Sequence, residues 1–212
     1  MLRVSEIFAS IQGETSYVGF PFAFVRLTGC NLRCLYCDTT YAYDDGEEFP
    51  LGEVVSRVAA FGIPRVTVTG GEPLLQEETP VLVTALLSLG HTVLVETNGT
   101  VPLSRLDPRV VKIMDVKCPG SGEAGKTDWG NFAHLNARDE VKFVVSSEED
   151  YRFAREVIRK YRKEQPFKVL LSPAFGLLPP ERLAGWMAGD AIDARFQLQL
   201  HKLVWGPDRR SV

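Results

Sequence analysis

No apolar run in the 212-residue chain approaches the roughly 20 residues that cross a bilayer, and Glu6 interrupts what would have to be the apolar core of a signal peptide. Cytoplasmic residence is the expectation. Charge of one sign is missing too: 24 basic against 27 acidic side chains leave a net charge of -3, so no global positive field attracts nucleic acid or an anionic membrane. Any anionic ligand must meet a local site. Internal repeats, low-complexity tracts and a linker able to split the chain are absent. With 45% hydrophobic and 24% charged residues, this excludes disorder and fibres and predicts one globular domain over 1–212. Cysteine is scarce and unevenly placed: Cys30, Cys34 and Cys37 crowd together while Cys118 stands alone. That suits a metal site in a reducing compartment better than a disulfide frame.

What is present is an alternation of elements. Runs rich in Val, Ile and Phe at 22–27, 65–69, 92–95, 110–116, 141–145, 168–171 and 196–200 predict buried strands. Helix-period segments at 51–61, 80–89, 149–163 and 180–187 fall between several of them, the third capped by Ser147 with Asp150 three residues on. Strand–helix alternation means parallel strands with right-handed crossovers. A complete eight-unit barrel needs about 250 residues, so the fold expected is α/β, an incomplete, open TIM-like barrel of about six parallel strands with outer helices. The irregular stretch 118–136, rich in Gly and polar residues, reads as an active-site loop or lid.

In such folds ligands gather at the carboxyl ends of the strands, and the unusual residues fall there. Three thiolates spaced C-x3-C-x2-C reach three corners of an iron-sulfur cube and leave one iron open, able to bind a ligand and pass it an electron. The same thiols also fit a zinc site completed by Cys118, or a redox pair with a spare thiol.

Cys30, Cys34 and Cys37, with Tyr36 before the last cysteine and Gly70-Gly71-Glu72-Pro73 further on, resemble the radical S-adenosylmethionine (SAM) superfamily. Within it, Ser10-Ile11-Gln12-Gly13-Glu14, the run from Phe24 through Arg26 to Cys30, Cys37-Asp38-Thr39 and Gln199-Leu200-His201-Lys202 resemble the 7-carboxy-7-deazaguanine synthase family, from about Glu6 to the tail. The resemblance implies a radical SAM core and a ring contraction of 6-carboxy-5,6,7,8-tetrahydropterin to 7-carboxy-7-deazaguanine, with loss of ammonia. A [4Fe-4S] cluster and SAM are its cofactors. SAM yields a 5'-deoxyadenosyl radical that takes hydrogen from C6 of the pterin and is later regenerated. Magnesium, a homodimer and an electron donor such as a flavodoxin are implied as well.

Carried over position by position, Cys30, Cys34 and Cys37 hold the cluster, and the Thr39 hydroxyl, a hard oxygen ligand, contacts magnesium. The pterin is met by Ile11, Gln12, Gly13, Glu14, Arg26, Thr69 and His201. A carboxylate such as Glu14 suits a guanidine-type ring edge, and Arg26, a cation inside an apolar strand, needs a carboxylate partner from substrate or protein. SAM is met by Tyr36, Cys37, Asp38, Gly71, Glu96, Asp115, Val116, Lys117 and Ser172. Family members often carry Ser-Pro-Lys where this chain has Asp115-Val116-Lys117, and Leu200 replaces a threonine. No catalytic side chain is implied beyond the cofactor radical.

Residues 120–127 satisfy the phosphate-loop pattern G-x-x-x-x-G-K-[ST], but Asp128-Trp129-Gly130-Asn131 follows where an amphipathic helix is required. The expectation is instead a loop closing over the pterin with Lys126 exposed. Two rivals remain at this level: a glycyl-radical activase, which shares C-x3-C-x2-C but lacks the Gln-Gly-Glu opening and terminal His-Lys, and a zinc-stabilised module without catalytic activity. The tail after Val204 either covers the pocket or frays.

Overall fold

The computed structural model describes residues 1–163 and 165–212. Its strands are β1 (Leu2–Ile11), β2 (Pro21–Leu27), β3 (Glu47–Phe49), β4 (Arg65–Gly70), β5 (Thr92–Thr97), β6 (Val111–Asp115), β7 (Glu140–Val145), β8 (Lys168–Pro173) and β9 (Arg195–Phe196). Its α-helices are α1 (Leu51–Ala60), α2 (Thr79–Ser88), α3 (Glu148–Tyr161), α4 (Pro180–Gly189) and α5 (Leu200–Trp205). The strands form one sheet in the order β3-β1-β2-β4-β5-β6-β7-β8-β9, parallel from β2 to β9, with β1 and β3 antiparallel on one edge. Among the described residues β3 and β9 do not pair with each other, so the barrel is open, as its length requires.

Strand periodicity sorts the two faces. Ala23, Val25, Leu27, Val66, Val68, Val93 and Val95 point outward into the main core, under helices that present Val54 and Val58 from α1 and Leu82, Val83 and Leu86 from α2. The inward face changes character along its length. Phe8, Phe22, Phe24, Leu94, Val111 and Ile113 make an apolar floor, with the Phe8 and Phe24 rings stacked at 5.0 Å. Two residues further along β2, β5 and β6 stand Arg26, Glu96 and Asp115, with Thr69 beside Arg26 and Lys142 beside Asp115 in register. Polar groups therefore meet inside the carboxyl end, on a floor that excludes water from below.

α3 starts where its cap was expected: Ser147 Oγ accepts from the Asp150 amide at 3.2 Å, and Ala154, Val157 and Ile158 are buried at helical spacing. Elsewhere the structure departs from expectation. β1 and β3 have no counterpart in the predicted strands. The strand expected over 196–200 shrinks to Arg195–Phe196, because the Leu200 amide turns away to the Gly13 carbonyl at 3.1 Å and α5 begins there. Among the described residues the 118–136 stretch holds short 3-10 turns, Pro119–Ser121, Ala124–Lys126 and Trp129–His134, and no α-helix begins directly after residue 127. That removes the phosphate-loop reading.

Candidate active site

A cavity of about 780 Å³ opens at the carboxyl end of the sheet. One wall carries Cys30, Cys34 and Cys37, all half-buried and unoxidised. Cys118 is fully buried in the apolar core and absent from the cavity lining. The donor set is therefore three thiols at the end of a loop, which fits a cube with one open corner better than a four-cysteine zinc site. Burial pushes the Cys30 thiol up and the Cys34 thiol to about 11, so both thiolates need a cationic centre beside them, as a metal cluster provides.

The cysteine loop is braced from two sides. Gly71 packs so closely that a Cβ there would stand 2.2 Å from the Gly29 carbonyl oxygen and 2.6 Å from Cys30 Cβ. The Glu72 amide donates to the same carbonyl at 2.8 Å, while the buried Glu72 carboxylate accepts from the Leu74 amide, the Asn98 amide and the Thr97 hydroxyl. From outside, Ser121 O accepts from the Leu35 amide at 3.0 Å and Glu123 from the Arg33 amide at 2.7 Å. Among the described residues none of 118–136 lines the cavity. This stretch buttresses the cysteine loop and does not close over the pocket, and Lys126 is exposed as expected.

The opposite wall is a polar network. Gln12 donates to Glu96 Oε1 and to Thr67 Oγ1, both at 3.2 Å, and Thr69 Oγ1 donates to Glu96 Oε2 at 3.1 Å. Lys142 Nζ stands 2.6 Å from Glu14 and 3.5 Å from Asp115, which also receives Lys117 at 2.9 Å. Burial, the largest single influence, raises the Glu14 carboxyl; the Lys142 ammonium is the chief opposing one, through its charge and its hydrogen bond, and with His201 it brings Glu14 down to about 2. Glu96 moves the other way, raised by burial and by Glu14 despite Lys142. Burial lowers the His201 imidazole against the pull of Glu14 and Asp38, which keeps it neutral at neutral pH. Its ring lies against Gly13, where a Cβ would stand 2.5 Å from Nδ1.

Most expected site residues come together here: Ile11, Gln12, Gly13, Glu14, Arg26, Thr69 and His201, with Tyr36, Asp38, Thr39, Gly71, Glu96, Asp115 and Lys117, all line the cavity. Glu96, expected at SAM, lines the same cavity and is bonded to Gln12 and Thr69. Val116, Ser172 and His201 are placed differently from expectation. Val116 points into the outer core, because strand alternation turns it away from Asp115 and Lys117. Ser172 is buried outside the lining, its hydroxyl without a partner among the described residues. His201 lies on α5, not on a strand end. Arg26 has an internal partner, Glu6 at 2.5 Å. Lys142, Glu6 and Tyr41 line or brace the cavity without having been anticipated; Lys142 carried the same signal as Arg26, a cation within an apolar strand.

The buried Asp115 Oδ1 also has no partner among the described residues, although Asp115 lines the cavity. An unpaired carboxylate oxygen there fits a donor from a bound ligand, such as an amino group. Residues 24–119 match the Radical SAM superfamily model. Over its whole length the chain is 48% identical to a 7-carboxy-7-deazaguanine synthase of Chlorobaculum tepidum, covering 97% of it, and 42% identical to one of Koribacter versatilis, covering all of it. The chain belongs to the 7-carboxy-7-deazaguanine synthases. Its fold is that of QueE from Escherichia coli, with a TM-score of 0.79 over 94% of both chains at 22% identity. It is thus a radical SAM enzyme of α/β architecture, and such an enzyme works with a [4Fe-4S] cluster and SAM. Among the described residues no helix is long and apolar enough to cross a membrane.

Proposed function

We propose that the cavity converts 6-carboxy-5,6,7,8-tetrahydropterin into 7-carboxy-7-deazaguanine with loss of ammonia. The observation that carries this reading is the meeting, in one cavity, of three free thiols on one wall and the Gln12–Glu14–Glu96–Arg26 network on the other. Cys30, Cys34 and Cys37 would hold the cluster, with Asp115, Lys117, Tyr36 and Gly71 around SAM. When bound, these cofactors supply a carbon radical that removes a hydrogen atom from substrate.

The chain's own residues bind and orient the pterin. Glu14, kept ionised by Lys142, offers two oxygens to the paired N–H groups of the guanidine-like edge. Gln12 presents an amide beside it. Arg26 uses Nε on Glu6, and its two terminal nitrogens, without hydrogen-bond partners among the described residues, are left to bind the pterin carboxylate. Neutral His201 adds a hydrogen bond to the ring. The apolar floor beneath keeps water from the reacting face.

Magnesium belongs in the same reading at Thr39, whose hydroxyl stands 2.9 Å from Asp38 in an oxygen-rich corner near Glu14. One sheet with one large cavity supports a single domain over 1–212. Family membership supports a homodimer, a flavodoxin-type electron donor and a cytoplasmic setting.

The test is anaerobic cluster reconstitution followed by incubation of reduced protein with SAM, magnesium and the pterin. Formation of 7-carboxy-7-deazaguanine is expected. Formation of 5'-deoxyadenosine without the deazapurine would keep the radical chemistry and reject the substrate.

A further inference from the structure

α5 ends at Gly206, whose φ of 89° and ψ of 160° lie in a region that essentially only glycine enters. This turn sends residues 207–212 back across the cavity mouth, and all six line it. Among the described residues two side-chain contacts hold the segment there. Ser211 Oγ donates to Glu6 Oε2 at 2.6 Å, and the Arg210 guanidinium lies 3.9 Å over the Tyr41 ring.

Both contacts converge on Arg26. Glu6 Oε1 accepts from Arg26 Nε at 2.5 Å and from the Tyr41 hydroxyl at 2.9 Å, so one oxygen of Glu6 orients Arg26 while the other receives the segment. The Tyr41 ring has two guanidinium groups near it, Arg210 at 3.9 Å and Arg26 at 6.0 Å from its centre. Behind the segment is room to move: Ser211 and Val212 also line an open hollow beside Ile63 and Trp205. One hydrogen bond and one cation–π contact are few ties for six residues, which leaves opening energetically easy.

We propose that residues 207–212 form a strap that closes over the bound pterin, couples closure to the orientation of Arg26 through Glu6, and brings Arg210 to the substrate's carboxylate as a second cation. The proposal rests on the pterin reading above. Arg210 is then a positioning and specificity residue, since the strap rewards a ligand that carries a carboxylate at that end. A pterin without the carboxylate gains nothing from closure.

Two measurements on the reconstituted holoenzyme test it. In hydrogen exchange followed by mass spectrometry, a peptide spanning 206–212 gains protection when 6-carboxy-5,6,7,8-tetrahydropterin is added and none with a pterin lacking the carboxyl group. In kinetics, Arg210→Ala and Ser211→Ala each raise the pterin KM, Arg210→Ala by about tenfold as expected for one lost charge-assisted contact, with iron content and SAM affinity at wild-type values. Arg210→Lys restores part of the loss. Exchange in 206–212 that ignores the carboxylated pterin, or pterin KM values unchanged in both variants while the wild type turns over normally, would overturn the strap. A wild type that forms no deazapurine would instead defeat the substrate reading on which the strap depends.

Discussion

At the scale of single residues, position divides side chains of identical chemistry. Cys118 is fully buried in the core, whereas Cys30, Cys34 and Cys37 face the cavity. Cys118→Ala should therefore keep wild-type iron content after reconstitution and cost about 1 kcal/mol of stability, while Cys30→Ala should lose the cluster. Iron loss in the Cys118 variant would restore a four-cysteine site. Lys142 sets the charge of Glu14. A carboxyl lowered from 4.5 to about 2 contributes stability that is complete above about pH 4.5 and is lost as pH falls toward 2. Lys142→Met leaves Glu14 beside Asp38 and Glu96 with burial uncompensated, so its pKa rises above 4.5. Pterin affinity should then fall more steeply on acidification than in the wild type, where Glu14 stays ionised while Glu96 and His201 titrate. A profile in the variant that matches the wild type's would show that Lys142 does not set that charge. Thr39→Ala should slow turnover and blunt the response to magnesium without loss of iron, and an unaltered magnesium titration would remove Thr39 from that role.

At the scale of elements, the cysteine loop and the Gly70–Pro73 turn form one braced unit. Gly71→Ala forces a methyl group into the Gly29 carbonyl and Cys30, and the loop must move. Cluster yield and SAM affinity should both fall, by about tenfold or more for SAM, as measured by iron analysis and equilibrium binding; wild-type values for both would mean that the close approach has no bearing on the site. The inner strands were legible because their outward faces are continuous Val and Leu, and α3 because Ser147 and its apolar stripe agree. β1 was not, since Arg3, Ser5 and Glu6 break its apolar run. Those polar residues make sense only once the antiparallel pairing sets Glu6 opposite Arg26. The 196–200 run misled because Gln197 and Gln199 alternate like strand residues, yet their side chains reach the Gly13 carbonyl and Glu14. The glycine-rich 118–136 stretch looked like a lid, and local composition could not show that its hydrogen bonds run to the back of the cysteine loop.

For the whole molecule, the sheet order brings residues as far apart in the chain as Phe8 and Val212 into one cavity, floored by phenylalanines and walled by thiols on one side and carboxylates and cations on the other. Motif spacing made the cysteine wall legible from the sequence. The cation network was half legible, because a charge inside an apolar strand signals Arg26 and Lys142 and equally signals Lys112, which proves to be a buried structural partner of Asp139 at 3.0 Å. Only the fold separates the two uses. The central claim is that this one cavity holds cluster, SAM and pterin together and returns SAM after each turnover. The most direct measurement is the molar ratio of 7-carboxy-7-deazaguanine formed to SAM consumed by the reduced, reconstituted protein. Many moles of product per mole of SAM lost is the predicted result; one SAM consumed per product, or no product from a fully clustered protein, would contradict it.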